Sequence, residues 1–174
     1  LLVMSTNNIL SPSNGRSIIT PTQDMVLGIY FLTVTNEEKS DTCKTFANVD
    51  EAMRALDAKV ISIHSPIKIK INNERIDTTI GRVIFNNVIE TVLQKHHIKD
   101  HAFINETVGK KQLNHLILNC YYQHGNDITA NVADNLKSVG FKYATLSGIS
   151  ISLDDMKVPK EKHVILERAE KEIT

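Results

Sequence analysis

The sequence predicts an α+β fold, helix-dominated with short strands. Three observations carry this. Apolar residues recur at helical spacing in separate stretches, most clearly Met25, Val26, Ile29, Leu32 and again Leu113, Leu116, Ile117, Cys120. Strict alternation is confined to short runs, above all Ile67-Lys68-Ile69-Lys70-Ile71. Turn chemistry, such as Asn14-Gly15 and Asn72-Asn73, punctuates the chain between them. The 174 residues suit one domain with room for a small second element. Aromatics are 5% and Trp is absent, so Ile, Leu and Val must fill the core.

Residues 5 to 20 are rich in Asn, Ser, Pro and Gly and read as an ordered loop. Thr20-Pro21-Thr22-Gln23 then reads as a helix start, with Thr20 as N-cap, Pro21 in the first turn and Gln23 completing a capping box. The helix is expected over 21–33. Asn36 to Thr45 is polar and expected as a surface loop, and Asp50 to Ala58 as a short helix burying Ala52, Met53 and Leu56. Pro66 puts the following alternating strand at an edge or marks its start. Thr78 to Phe85 is β-branched and reads as a second strand, running into a helix through Val88, Ile89 and Val92.

Lys95 to Thr107 has mixed polarity and no clear period. Lys110 to Tyr122 is a helix, and Thr129 to Val139 another, with Gly140 expected to end it in the left-handed conformation. Ile149, Ile151 and Leu153 alternate and predict a short strand. From Pro159 a last helix is expected, with Ile165, Leu166, Ala169 and Ile173 inward and charged residues outward. The chain starts on an apolar stub, Leu1-Leu2-Val3-Met4, and stops at Thr174 within a helical run, which suggests a piece of a longer protein.

Twenty basic and twenty acidic residues give no net charge. That argues against strong independent nucleic-acid binding, which usually rests on a basic excess, but allows the wall of a larger channel whose field comes from its neighbours. Cys43 and Cys120 have no CxxC partners, so two reduced thiols are expected rather than a zinc site. No apolar run nears the ~20 residues of a membrane helix, and no secretory signal pattern opens the chain.

Few residues suggest chemistry by themselves. Asp154-Asp155 lacks a third partner and reads as local structure before a helix. His97 and His101 are four apart but lack the Glu of HExxH, so solvated histidines are expected with His96. Arg82, after Gly81, suits a phosphate contact or a structural role as ion-pair or carbonyl donor. Asn7, Asn8 and Gln23 lie on or beside a proline-braced loop. Their amides could cap turns, or could meet a sugar hydroxyl, a base edge or a phosphate oxygen.

Four segments resemble one family in order. They are Ser5-Thr6-Asn7-Asn8-Ile9-Leu10-Ser11-Pro12 with Pro21-Thr22-Gln23-Asp24; His64-Ser65-Pro66-Ile67; Thr78-Thr79-Ile80-Gly81-Arg82; and Gly140-Phe141-Lys142-Tyr143-Ala144-Thr145, running on to Asp154-Asp155-Met156. Together they resemble the largest catalytic subunit of cellular RNA polymerase in its bacterial beta-prime form. Leu146 stands where relatives usually carry Arg, Ser152 replaces a common Gly, and Lys95 to Glu106 matches poorly.

The resemblance implies a pore (third) domain over 1–158 and the start of the funnel or rim helix over 159–174. This region would wall the secondary channel, by which nucleotides enter and the 3′ end of backtracked RNA leaves. Gln23 would lie closest to that nucleotide or 3′ end, the Asn7–Asn8 loop would support it, and Arg82 would be a weaker pore-side candidate. The family's catalytic Asn-Ala-Asp-Phe-Asp-Gly-Asp loop is absent from the sequence. Mg2+ would therefore bind outside this segment, which alone would be inactive as a nucleotidyltransferase. Implied partners are the beta, alpha and omega subunits, template DNA, the RNA transcript, nucleoside triphosphates and secondary-channel factors, in the cytoplasm at the bacterial nucleoid. A free-standing protein-interaction module, and a small hydrolase using Asp154 or Asp155, remain the competing readings.

Overall fold

The alternating run forms the middle strand of a small sheet. The computed structural model describes residues 4–35, 43–71, 74–98 and 101–173. β1 (Lys44–Phe46), β2 (Pro66–Ile71) and β3 (Glu74–Thr79) lie in the order β1-β2-β3. β1 runs parallel to β2, and β3 antiparallel to it with Ile67 opposite Thr78 and Ile69 opposite Ile76. Ile67 and Ile69 are buried while Lys68 and Lys70 are exposed, as a half-buried strand requires. Pro66 tolerates this central strand because it sits at its first residue. Lys44 and Thr45 belong to β1 rather than to the expected loop, whose residues 36–42, like the Asn72-Asn73 turn, lie outside the described residues.

Among the described residues there are six helices: α1 (Asp24–Thr33), α2 (Val49–Asp57), α3 (Ile80–Lys95), α4 (Lys110–His124), α5 (Asn126–Ser147) and α6 (Lys162–Ile173); α1 to α5 pack on the sheet or on one another. The parallel β1–β2 pair needs a crossover, and α2 supplies it. Asn48 caps α2, accepting from the Glu51 amide at 2.9 Å, while Glu51 reaches back to the Ala47 amide at 2.7 Å.

The expected strand over Thr78 to Phe85 ends at Thr79. The Thr79 hydroxyl accepts from the Arg82 amide at 3.3 Å and starts α3 there. The β-branched residues Ile80, Val83 and Ile84 are therefore helical, because burial outweighs their weak preference for strand. Their position makes α3 a beam between two cores. Ile80 and Val83 join the sheet and α2, while Phe85, Ile89, Val92 and Leu93 join the bundle of α1, α4 and α5.

Gly140 does not end a helix. It lies well inside α5, which runs on to Ser147, and Gly148 takes the left-handed cap at φ 61°. α1 packs most extensively on α5, and two glycines make the approach possible. A Cβ at Gly28 would overlap the Gly140 carbonyl, and one at Gly140 would sit 2.7 Å from the Met25 carbonyl oxygen. The expected strand at Ile149–Leu153 is also absent: a 3-10 turn forms over Leu153–Asp155. Every described residue after Ser147 is exposed, so the expected inward face of α6 meets no core here. Ile165 is 64% exposed and Ile173 86%.

Candidate functional site

Gln23 ends an ordered hairpin loop and starts α1. Asn14-Gly15 makes the expected turn: Gly15 takes φ 65°, its amide donates to the Ser11 carbonyl, and Leu10 bridges Ser17. The loop then anchors through buried Pro21. The expected cap fails in a revealing way. α1 begins at Asp24, so Gln23 is itself the N-cap residue, and its side chain makes no capping hydrogen bond. Thr20 is not the cap either; its hydroxyl is buried without a partner. Gln23 adopts φ 51°, ψ −124°, a region that favours glycine, and its side chain is exposed. An exposed amide on a strained, braced backbone is suited to donate to and accept from a ligand at once.

Arg82 is committed to the fold. Its guanidinium donates to the Thr33 carbonyl at 3.0 Å, to Thr35 Oγ1 at 2.7 Å and to the Asn105 carbonyl and Oδ1, each at 3.2 Å. Burial lowers its pKa, and the Glu106 carboxylate pulls it back up. It is one part of a strap. Asn86 donates to the Arg82 and Ile104 carbonyls, each at 2.8 Å, and its Oδ1 accepts from the Ile104 amide at 2.8 Å. Thr33 Oγ1 accepts from the Val108 amide at 2.9 Å. The strap ties the irregular segment 101–108 to α1 and α3. Of the two roles open to Arg82, the geometry provides the carbonyl-donor one. Gly81 belongs to the same joint, because a Cβ there would overlap the Leu32 carbonyl.

Asn7 closes a 3-10 turn over Ser5–Asn7, and the Asn8 side chain donates to the Met4 carbonyl at 3.1 Å. The Asn126 side-chain amide donates to the Thr6 carbonyl, fixing this turn to the start of α5. The candidates therefore sit at separate places. Gln23 and the Arg82 anchor at Thr33 mark opposite ends of α1, ~15 Å apart at a 1.5 Å rise. The α5 residues touching the Ser5–Asn7 turn and the first turn of α1, Asn126 and Gly140, are ~21 Å apart by the same measure.

The acidic pair has local partners. Ser152 caps the Leu153–Asp155 turn, accepting from the Asp154 amide at 3.2 Å, while Asp155 accepts from the Ser152 amide at 2.9 Å. This is the structural reading of the acidic pair. His96 and His97 follow the end of α3 and are exposed. His101 is instead half-buried, with Nε2 3.1 Å from Asn86 Oδ1, so it is not the solvated histidine expected. Cys43 and Cys120 are free thiols. Among the described residues no cluster of three His, Cys, Asp or Glu is placed to hold a metal ion, and no helix is long and apolar enough to cross a membrane.

The periodicity gave no hint of one feature, a groove of about 890 Å³ beside α3 and α4. Leu93, His101, Val108, His115, Cys120 and His124 are among its lining residues. It forms because the strapped segment 101–108 makes one wall, and that wall has no periodic signature.

The four segments and the domain they build define a class. The chain belongs to the family described as RNA polymerase Rpb1, domain 3, whose model matches residues 8–156. It is 37% identical over 172 residues to the DNA-directed RNA polymerase subunit beta' of Sulfurihydrogenibium sp. (strain YO3AOP1), covering 99% of this chain and 10% of that subunit. It is 41% identical over 170 residues to the subunit of the same name from Aquifex pyrophilus, covering 97% of this chain and 10% of the relative. The subunit of Syntrophomonas wolfei is 34% identical over 194 residues, with 99% of this chain and 16% of the relative covered. The chain thus spans only 10% to 16% of the length of these curated relatives.

Proposed function

We propose that this chain is a pore-wall segment of a bacterial DNA-directed RNA polymerase beta-prime subunit. Residues 1–158 form the pore domain and 159–174 open the funnel helix. It lines the secondary channel through which nucleotides enter and the 3′ end of backtracked RNA leaves, with Gln23 as its nearest group to either. The observation that carries this reading is the exposed Gln23 amide, held at φ 51° at the start of a half-buried helix. A costly backbone conformation persists where its surroundings over-determine it, and such positions cluster at functional sites. Asn7 and Asn8 support the neighbouring loop, and Arg82 keeps the wall in shape from the far end of α1.

In this reading the phosphoryl-transfer chemistry belongs to a carboxylate loop elsewhere in the subunit. That loop would hold Mg2+, which would supply activation of the attacking 3′ hydroxyl and charge stabilisation for the leaving pyrophosphate. The segment alone is inactive. It works with the beta, alpha and omega subunits, template DNA, transcript and secondary-channel factors, in the cytoplasm at the nucleoid. The rest of the subunit covers the exposed apolar residues of α6, which accounts for Val164, Ile165 and Leu166 without a separate interaction module.

The test is Gln23→Ala in reconstituted polymerase carrying the full-length subunit. Loss of one hydrogen bond, about 1 kcal/mol, raises KM for the incoming nucleotide about fivefold. Unchanged KM together with unchanged cleavage of backtracked RNA would sink the reading.

A further inference from the structure

A glycine inside a helix weakens it, and that cost needs a reason. Gly140 has no conformational one. The described glycines at positive φ are Gly15, Gly125 and Gly148, and Gly140 is not among them. Its reason is close approach. A Cβ there would meet the Met25 carbonyl oxygen at 2.7 Å, the Met25 Cα at 2.8 Å and the Met25 carbonyl carbon at 3.1 Å. All three are backbone atoms, so no side chain can swing away to make room.

Met25 is the second residue of α1 and lies two residues after Gln23. The Met25 amide donates to the Thr22 carbonyl at 3.2 Å, and the Leu27 amide donates to the Gln23 carbonyl at 3.1 Å. The backbone on which α5 presses is therefore hydrogen-bonded directly into the Gln23 turn. On the other side of Gln23 the chain is held by buried Pro21. The two supports bracket the residue whose backbone is strained. Gly28, one turn further on, also meets the Gly140 carbonyl and sets the spacing of the helices, but it lies further from the strained turn.

We infer that Gly140 is a positioning residue for Gln23: the bare backbone of α5 at this point holds the first turn of α1, and so the Gln23 amide, in its channel-facing pose. This inference rests on the pore reading of Gln23. A methyl group at position 140 pushes the first turn outward and lets the Gln23 backbone relax. The effect falls on nucleotide binding through Gln23.

The test is a double-mutant cycle in reconstituted polymerase with the full-length subunit, using Gly140→Ala, Gln23→Ala and the pair. Leu113→Ala, a cavity made in the same core from α4, controls for general loosening. Gly140→Ala is expected to raise nucleotide KM severalfold with kcat little changed, and to have no further effect once Gln23 is Ala. Leu113→Ala is expected to lower thermal stability without moving KM. Gln23→Ala with an unchanged KM is a failure of the underlying pore reading. Gln23→Ala with a raised KM beside an inert Gly140→Ala is a failure of the positioning role alone. Effects that multiply in the double variant, or a Leu113→Ala that reproduces the KM change, also overturn it. So does a Gly140→Ala subunit that fails to assemble while Leu113→Ala assembles, since the glycine would then serve folding only.

Discussion

At Gly28 one hydrogen atom decides how close two helices can come. A Cβ there would overlap the Gly140 carbonyl and lie 2.6 Å from the Ala144 nitrogen, both on the facing backbone of α5. Neither can rotate away, so Gly28→Ala must move a helix. Overpacking of this kind costs about 3 kcal/mol, a fall in Tm of roughly 6–12 °C for a domain of this size. Thermal unfolding followed by far-UV circular dichroism checks it, and an unchanged Tm would show that the helices do not meet as described. The residue scale is also where reading from sequence was weakest. The Gly140 position fits a helix stop as well as a helix crossing, because period alone does not name the partner. Gln23 has the spacing of a capping box, and spacing carries no sign of φ. Both assignments needed the facing helix.

Among the elements, the segment 101–108 depends on side chains of other elements rather than on its own hydrogen bonds. Arg82, Asn86 and Thr33 hold it, and its own His101 lies against Asn86, which explains why a stretch without periodicity is ordered. Burial holds the His101 pKa below its ordinary 6.5; Glu90 opposes that shift and His124 adds to it. The unfolded chain therefore binds more protons in the window below 6.5. Stability is complete above that pH and declines as the pH falls through the folded-state pKa. Between about pH 7.5 and about pH 5.5 the Tm of the native chain is expected to drop more than that of a His101→Asn variant. Parallel Tm–pH curves would remove His101 from the account. The sheet and α4 were legible because one face of each is buried, which imposes periods of 2 and 3.6 on the sequence. The Thr78–Phe85 stretch was misread because a helix and a buried strand both accept β-branched residues, and only the Thr79 cap separates them. The apolar pattern of α6 is real, but no core among the described residues receives it.

Across the whole molecule, α3 joins a sheet core to a helical core, and α1 crosses α5 at the glycine pair. This places the Gln23 loop and the Arg82 strap at opposite ends of one short helix. In the proposed reading the wall then has one functional edge and one structural edge. The ordered motifs of the sequence were enough to reach the family, since four segments in the right order are hard to match by chance. They could not assign roles within it. Thr79, Gly81 and Arg82 turn out to be a joint, and the groove lined by His101, His115 and His124 leaves no mark in any motif. The most direct measurement places a photo-crosslinking residue at position 23 of the full-length subunit, in polymerase stalled and backtracked on labelled RNA. A crosslink to the RNA 3′ end that disappears when backtracking is reversed is the predicted result. Crosslinks to protein alone, whatever the position of the RNA, would contradict the claim that this chain lines the channel.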